Sequence, residues 1–306
     1  MVRICIDGFN LALPRPTGIG NYGRSLLDAL SGVGHEGEVL FAPDIDRSGQ
    51  KTLDEAALFA PPKPGRLSLA ERVGRETRTL GRAAFGAAAR PLEQTGKVIW
   101  PGGAVEQPAA RQLWSCPHLF RDAKRVFHRM ERPLNIRFKD VAPPSAMHWT
   151  SPIAAKALRT PNIYTIHDLA PLRLPSSIDN DKRRFYALCR TIARSADVIA
   201  TISETSRNDI IDILGIEPER VVNTYQSSPY FSAKPPSAAY VEREVESNFD
   251  LPYGGYFLHV GTVEPKKNLG RIIEAYLASG VKTPLVIVKS RGWLEHNEFE
   301  QLEALR

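Results

Sequence analysis

Three glycines near the N-terminus have a spacing that suits the binding of an anion. Gly18, Gly20 and Gly23 follow the G-x-G-x-x-G pattern of many phosphate-binding loops. Glycines let backbone N–H groups approach a phosphate closely, and the positive end of a following helix then faces the charge. The pattern therefore predicts an anion site at Gly18, Gly20 and Asn21.

The surroundings of these glycines argue against a dinucleotide-dependent oxidoreductase. In a dinucleotide site the first glycine directly follows a strand, whereas here residues 8–17 intervene. Asp44 lies where a ribose-binding acid would be expected, so the oxidoreductase stays open as a minor alternative. A second alternative is that the glycines only permit a turn into a helix.

Two acidic pairs and one Cys–His pair are the other groups that could do chemistry. Asp44–Asp46 and Asp179–Asp181 both read D-x-D, and His118 follows Cys116 by two residues. The acidic pairs lie beside turn residues, which favours solvated loops, and a zinc site needs three or four ligands. The sequence predicts no metal site.

Alternating strands and helices must position the glycines. Apolar runs predict strands at 2–7, 38–43, 97–101, 146–151, 162–168, 197–203 and 220–225, and helical spacing predicts helices at 21–30, 182–194 and 206–214. This alternation is typical of a doubly wound α/β domain.

A second unit is predicted after a Ser- and Pro-rich stretch at 227–236. Two strands, 255–261 and 284–290, alternate there with helices at 268–279 and 295–306. We expect one domain at 1–235 and a second at 236–306. Two strands and two helices do not cover both faces of a parallel sheet, so the second domain is expected to be incomplete.

The positive charge of the chain is concentrated in one region. The net charge is +6, yet residues 63–139 alone hold 16 Lys or Arg and 6 Asp or Glu, a balance of +10. Leu69, Val73, Leu80, Ala84 and Ala87 repeat there near helical spacing, with arginines between them, which indicates a helix. The charge is expected to be a solvated helix face or, alternatively, a surface for anionic lipid headgroups.

The composition also bears on whether the protein binds nucleic acid and on the cellular compartment in which it is found. The basic residues are not interleaved with stacking aromatics, which argues against nucleic acid. Three cysteines favour a reducing compartment, and neither a signal peptide nor a long apolar run is apparent. We expect a cytoplasmic protein, with peripheral contact at the inner face of the cell membrane as an option.

Four segments carry a resemblance to glycosyltransferase family 4. TGIGNYGRSLL, YTIHDLAPLRLP, ADVIATISETSRNDI and FLHVGTVEPKKNLGRIIEAY follow one another in the order seen in that family, and NTYQSSPYF is similar to its mannosyltransferase-like members. The resemblance implies a GT-B fold with two Rossmann-like domains. It also implies retaining hexose transfer from a nucleotide sugar, with GDP-mannose the preferred donor, to a lipid-linked or saccharide acceptor in surface polysaccharide synthesis, without an essential metal or other cofactor.

The resemblance also assigns site residues. Gly18, Gly20 and Asn21 match the loop near the donor diphosphate and the acceptor, and His167 matches the histidine that contacts the donor sugar. Lys267 matches the basic residue on the diphosphate, where negative charge grows as the glycosidic bond breaks. The predicted donor site further includes Lys266, Thr262 and Glu264, although many relatives have arginine at the position of Thr262. A core histidine and a surface lysine are the alternatives for His167 and Lys267.

The resemblance places the E-x7-E segment that holds the donor after residue 306. The chain is therefore expected to be a fragment that does not turn over by itself. Alternatives are a non-catalytic subunit of a split glycosyltransferase, completed by a partner chain, and a nucleotide-sugar epimerase or hydrolase of the same fold.

Overall fold

The chain folds into two compact units. The computed structural model describes residues 1–13, 17–60, 68–100, 107–175, 181–227, 235–263 and 265–290. The first unit comprises Met1–Leu169 and Arg183–Phe231, and the second comprises Ala170–Lys182 and Ser232–Arg306. The predicted linker lies partly, and the predicted helix at 295–306 wholly, outside the described residues.

A ten-stranded sheet forms the centre of the first unit. Its strands are β1 Arg3–Asp7, β2 Glu36–Phe41, β3 Ala87–Leu92, β4 Gln112–Ser115, β5 Leu134–Phe138, β6 Ala146–Trp149, β7 Ala155–Ala157, β8 Asn162–Thr165, β9 Val198–Thr201 and β10 Val221–Asn223. Their order across the sheet is β10-β9-β8-β6-β1-β2-β4-β3-β5-β7. Every pair is parallel except β3 with β4. The central strands are almost fully buried, as a parallel sheet covered on both faces requires.

Helices connect these strands. They are α1 Gly18–Gly32, α2 Lys51–Ala56, α3 Leu69–Phe85, α4 Leu119–Met130, α5 Ala170–Arg173, α6 Lys182–Ser195 and α7 Glu204–Leu214. Side-chain caps fix several ends: Ser68 and Glu71 form a reciprocal capping box on α3, and Ser203 accepts a hydrogen bond from the amide of Ser206 on α7. Helix α7 ends at Gly215, whose φ of +65° suits glycine.

Most predicted elements of the first unit are confirmed, but four strands were not anticipated and one prediction is wrong. Strands β3, β4, β5 and β7 lie in segments such as AAARPL, which are poor in β-branched residues. Pairing with neighbouring strands, rather than local propensity, makes these segments extended. Residues 97–100 of the predicted strand at 97–101 are irregular, and Trp100 packs its ring against Phe41 and Phe59.

Helix α3 is oriented opposite to the prediction. A solvated arginine face would place Leu69, Val73 and Leu80 in the interior, yet 78%, 55% and 51% of their surfaces are exposed. The buried positions of this helix are Thr79 and Ala83. Charge explains the reversal, because Arg78 and Arg82 of α3 contact the buried carboxylate of Asp122 on α4. Ala87, the last residue of the predicted stripe, begins strand β3 instead.

The second unit is a small parallel α/β arrangement. Strands β11 Phe257–Thr262 and β12 Leu285–Ser290 pair in parallel and are accompanied by helices α8 Ala238–Phe249 and α9 Leu269–Ser279. The short helix α5 also falls in this unit. Val263, Leu269 and Ile273 form its buried core. Helix α8 was not predicted, whereas the two strands and α9 were. Within the described residues of the whole chain, no helix is both long and apolar enough to cross a membrane.

Candidate active site

A connected set of polar side chains lies where β1, β6 and β8 end. Asp7, the last residue of β1, is buried and accepts hydrogen bonds from the amide and the hydroxyl of Thr150, at 2.5 and 2.8 Å. The carbonyl oxygen of Thr150 in turn lies 2.9 Å from Nε2 of His167. Carboxyl ends of parallel strands share one edge of a sheet, which is the usual place for a ligand site in such folds.

The contact with Thr150 fixes the protonation of His167. A carbonyl oxygen only accepts, so Nε2 of His167 carries the proton and Nδ1 is left as an acceptor. Burial lowers the pKa of His167 below its ordinary value, which keeps the ring neutral at pH 7. A neutral imidazole with an acceptor nitrogen is suited to a hydroxyl group, such as that of a sugar.

Tyr22 of helix α1 packs against the same histidine. The centroids of its ring and the His167 ring lie 5.1 Å apart with an interplanar angle of 84°, an edge-to-face contact. The Tyr22 hydroxyl lies 3.1 Å from Oγ1 of Thr165, which also lies 2.7 Å from Nε2 of buried His148. These contacts hold the imidazole ring of His167 at a fixed position beside α1.

The N-terminus of α1 carries the predicted glycines. The helix begins at Gly18, not at Asn21, so the glycines form its first turn instead of a preceding loop. Oγ1 of Thr17 accepts from the amide of Gly20 at 2.9 Å, and the Asn21 amide donates to the Thr17 carbonyl. The amides of Gly18 and Ile19 precede the first intrahelical hydrogen bond and are therefore the ones available to an anion. Tyr22 places this turn close to His167.

Gly20 is predicted to be required for packing, whereas Gly18 is not. A Cβ atom at Gly20 would lie 3.1 Å from the carbonyl oxygen of Asn10 and 3.3 Å from Oγ1 of Thr17, while one at Gly18 meets nothing within 4 Å. We expect Gly20→Ala to lower the free energy of unfolding by about 1 kcal/mol. Gly18→Ala, the matched control, should raise it by about 0.5 kcal/mol, because alanine is the better helix former. Urea unfolding of both variants tests this, and equal shifts would contradict it.

His148 should make the fold sensitive to acid. Burial lowers its pKa from 6.5 to about 4, so between these values the unfolded chain takes up a proton that the folded chain does not. The contribution of neutral His148 to the free energy of unfolding is complete above pH 6.5 and is lost as the pH falls towards 4. Asp7 has the opposite effect on stability. Burial raises its pKa to about 6, so as the pH falls the folded chain binds a proton at Asp7 before the unfolded chain does, which favours the folded state.

Replacing His148 should therefore change the pH profile of stability. For His148→Gln we expect the loss of unfolding free energy between pH 7 and pH 5 to shrink by about 2 kcal/mol relative to the unmodified chain. Urea unfolding at the two pH values measures this difference. Parallel profiles for the two proteins would show that His148 does not titrate in this way.

The remaining predicted site residues lie on the second unit. Thr262 ends β11, and Lys266 and Lys267 form a single 3₁₀ turn, Pro265–Lys267, in front of α9. Both lysines are exposed, and Asn268, with a φ of +56°, is the N-terminal cap residue of helix α9. Glu264 lies outside the described residues. The turn therefore places two positively charged side chains beside the N-terminal end of a helix, which is itself the positive end of the helix dipole.

The acidic pair Asp44–Asp46 is engaged by basic side chains. Asp44 pairs with Arg121, and Oδ1 of Asp46 lies 3.2 Å from Nε2 of His118. Within the part of the chain that the structure describes, no group of three or more His, Cys, Asp or Glu side chains is arranged to hold a metal ion. Asp179 lies outside that part.

Sequence reasoning missed Asp7, Thr150, Thr165 and His148 as parts of the site. The available signal was positional, because polar residues at the ends of apolar strands are the ones that reach the edge of a parallel sheet. Tyr22 of α1 was not predicted as a site residue either. Its hydroxyl needed a buried partner, which is the physical reason to look for a polar contact there.

Known proteins show similarities to this chain at two levels. The glycosyl transferase 4-like domain matches residues 17–224. O-antigen chain mannosyltransferase B of Escherichia coli is 30% identical over 139 residues, which are 43% of this chain and 35% of that protein. The crystal structure of HepE from Anabaena in complex with UDP aligns with 99% of this chain and 65% of its own, at 14% identity and a TM-score of 0.50. The chain thus spans about a third of the curated relative and less than two thirds of HepE.

These similarities confirm the expected fold class. The mixed α/β architecture, with its large and mostly parallel sheet, is like that of GT-B glycosyltransferases such as HepE. The match to residues 17–224 covers well over half of the chain and includes both the α1 turn and His167. The chain therefore belongs to the glycosyl transferase 4-like domain family.

Proposed function

We propose that the protein to which this chain belongs transfers a hexose from a nucleotide sugar to a lipid-linked or saccharide acceptor, with retention of anomeric configuration. Mannose from GDP-mannose is the donor we favour, because the curated relative is an O-antigen chain mannosyltransferase. HepE was crystallised with UDP, so a uridine nucleotide is the donor to test against it. The acceptor would belong to surface polysaccharide synthesis, in keeping with the same relative.

In this proposal the first unit orients the sugar and the acceptor. Nδ1 of neutral His167 would accept a hydrogen bond from a hydroxyl of the donor hexose, with Nε2 held by the Thr150 carbonyl. Asp7 keeps Thr150 in place through two hydrogen bonds. The amides of Gly18 and Ile19 would face the diphosphate or the acceptor at the positive end of α1.

The second unit would stabilise the departing diphosphate. As the glycosidic bond breaks, its electron pair stays with the phosphate oxygen, so negative charge grows there. Lys267, with Lys266 beside it, is exposed at the start of α9, where both the ammonium groups and the helix end favour that charge. Thr262 ends the preceding strand and is close in sequence to this turn. Glu264 is retained in the proposed donor site on sequence grounds alone.

The observation that carries the proposal is the fixed, neutral His167 beside the α1 turn, in a chain of a glycosyltransferase family. To test it, the gene is sequenced past codon 306 and the product of the complete reading frame is assayed. It is incubated with labelled GDP-mannose, UDP-glucose or UDP-N-acetylglucosamine and a lipid-linked oligosaccharide extract. Mannose transfer with retained configuration is expected, and failure to transfer any of the three sugars would overturn the proposal.

Removal of divalent metal should leave the transfer intact. The proposed stabilisation of the diphosphate uses lysine side chains and helix ends, which are not lost on chelation. We expect the rate with GDP-mannose in excess EDTA to stay within about twofold of the rate with Mg²⁺, since no step depends on the ion. A loss of activity that added Mg²⁺ or Mn²⁺ restores would show that a metal takes part.

A further inference from the structure

Helix α3 presents a largely apolar face to solvent, with Glu76 at one edge of it. Leu69, Val73 and Leu80 lie within one third of the helix circumference, and the exposed Ala84 lies on the same side. Phe85, at the end of the helix, is 80% exposed. Gly74 and Gly81 lie on this face too, and a Cβ atom at either meets nothing within 4 Å. We call this surface the α3 apolar face.

Basic side chains border the α3 apolar face and contact the helix directly. Arg129 pairs with Glu76 at 2.5 Å, Arg132 donates to the carbonyl of Ala83 at 2.7 Å, and Arg137 donates to the carbonyl of Phe85 at 2.6 Å. Arg72, one turn into the helix, is exposed. The apolar face is therefore edged by cations that are held in place.

The outward side of the neighbouring helix α4 is basic as well. It carries Arg121, Lys124, Arg125, His128 and Arg129, while Leu119, Ala123, Val126 and Phe127 are buried. Nη1 of Arg125 is buried and finds no hydrogen-bond partner among the described residues. Burial, and to a smaller extent the neighbouring Arg75, lowers the pKa of Arg125. The exposed basic side chains of α4 suit contact with an anionic group.

We propose that the α3 apolar face and its basic border form a docking surface for an anionic lipid bilayer. Apolar side chains beside Lys and Arg are the pattern of segments that lie in the headgroup region, where the former enter the acyl boundary and the latter contact phosphates. Residues 63–139, which include α3 and α4, have a local balance of +10, although part of that charge is paired with acids outside the range, as Arg121 is with Asp44. This proposal does not depend on the proposed sugar transfer.

Charge also argues against a second copy of the chain as the occupant. In a two-fold dimer through this face, the basic border of one copy would meet the same border of the other. Like charges brought together in this way oppose association, whereas the phosphates of an anionic membrane relieve the repulsion.

Flotation with vesicles tests the proposal on the full 306-residue chain. We expect binding to vesicles of phosphatidylcholine with phosphatidylglycerol, little binding to phosphatidylcholine alone, and weaker binding as salt rises. The variant Leu69→Gln/Val73→Gln/Leu80→Gln should bind about tenfold more weakly or worse, because the inserted side chains are lost. Val33→Gln, at an exposed apolar position outside the region, is the control.

The basic border is tested separately. Lys124→Gln and Arg72→Gln are each expected to weaken binding about fivefold, with Lys282→Gln on the second unit as the charge-matched control. The substituted positions are exposed, so circular dichroism and unfolding should be unchanged.

Insertion itself is measured with a fluorophore. Cys5, Cys116 and Cys189 are buried, and burial raises the pKa of their thiols, so Leu80→Cys is labelled selectively. An environment-sensitive dye at position 80 should shift to the blue on anionic vesicles, whereas one at Val33→Cys should not. The proposal is overturned by vesicle binding that the glutamine variants do not weaken, by absence of binding, or by concentration-dependent self-association that the triple variant abolishes.

Discussion

Asp122→Ala is expected to lower the free energy of unfolding by about 3 kcal/mol, because it leaves two partly buried arginines without their buried partner. The carboxylate of Asp122 is fully buried and lies 2.9 Å from Nη1 of Arg82 and 3.3 Å from Nε of Arg78. Oγ1 of Thr79 adds a third contact at 3.2 Å. These contacts join α3 to α4, so the loss should be seen as weaker packing of both helices. Urea unfolding of the variant measures it.

Asp46→Ala is the matched control for this prediction. Asp46 also lies near Arg78, at 4.0 Å, but its side chain is 72% exposed. An ion pair in solvent contributes little, so the control should cost less than about 1 kcal/mol. Asp122→Asn keeps the size of the side chain but not its charge, so its cost in unfolding free energy should lie between those of Asp122→Ala and Asp46→Ala. Equal costs for Asp122→Ala and Asp46→Ala would show that burial of the carboxylate is not the cause.

The arrangement around Asp122 explains why the orientation of α3 could not be predicted from its sequence. Periodicity shows that Leu69, Val73 and Leu80 share a face, and it assigns that face to the interior because apolar burial is usually the larger effect. The partner that reverses the choice is one carboxylate more than 40 residues further along the chain. A pattern within one helix carries no information about a buried charge on another.

Strands were predictable where local sequence and burial agree. ICI in β1 and VIAT in β9 combine apolar or β-branched residues with burial of every residue except the first, Ile4 or Val198, and both were predicted from their sequences. β3 and β7 consist largely of Ala, Arg, Lys and Pro, and they are strands because neighbouring strands satisfy their backbone groups. Their existence is a property of the sheet and not of their own residues.

The candidate site likewise has residues that local sequence predicts and residues that only the folded sheet brings together. His167 and the glycines of α1 were predicted from motifs that are local in sequence. The support of His167 was not, because Asp7 and Thr150 are separated by 143 residues and meet only once the parallel sheet forms. The boundary of α1 was misplaced by three residues, since Thr17 caps a helix whose first turn holds two glycines, residues that normally favour a loop.

Lys267→Ala is expected to lower the kcat of the complete protein by about 10² to 10³ and to change the KM for the donor much less. The reason is that the charge on the leaving diphosphate is larger in the transition state than in the bound donor, so a cation there contributes mainly to the rate. Because Lys267 is exposed on its turn, its replacement should not alter unfolding. Lys267→Arg keeps the positive charge and should recover part of the rate.

Lys282→Ala, an exposed lysine on the same unit, provides the comparison, and it should retain the full rate of mannose transfer. Transfer by the unmodified protein together with full activity of Lys267→Ala would remove Lys267 from the site while leaving the proposed function standing. Loss of kcat with unchanged stability and with partial recovery in Lys267→Arg would instead mean that the charge acts on the transition state. That result would place the start of α9 at the leaving diphosphate, because the helix end and the ammonium group stabilise the same negative charge.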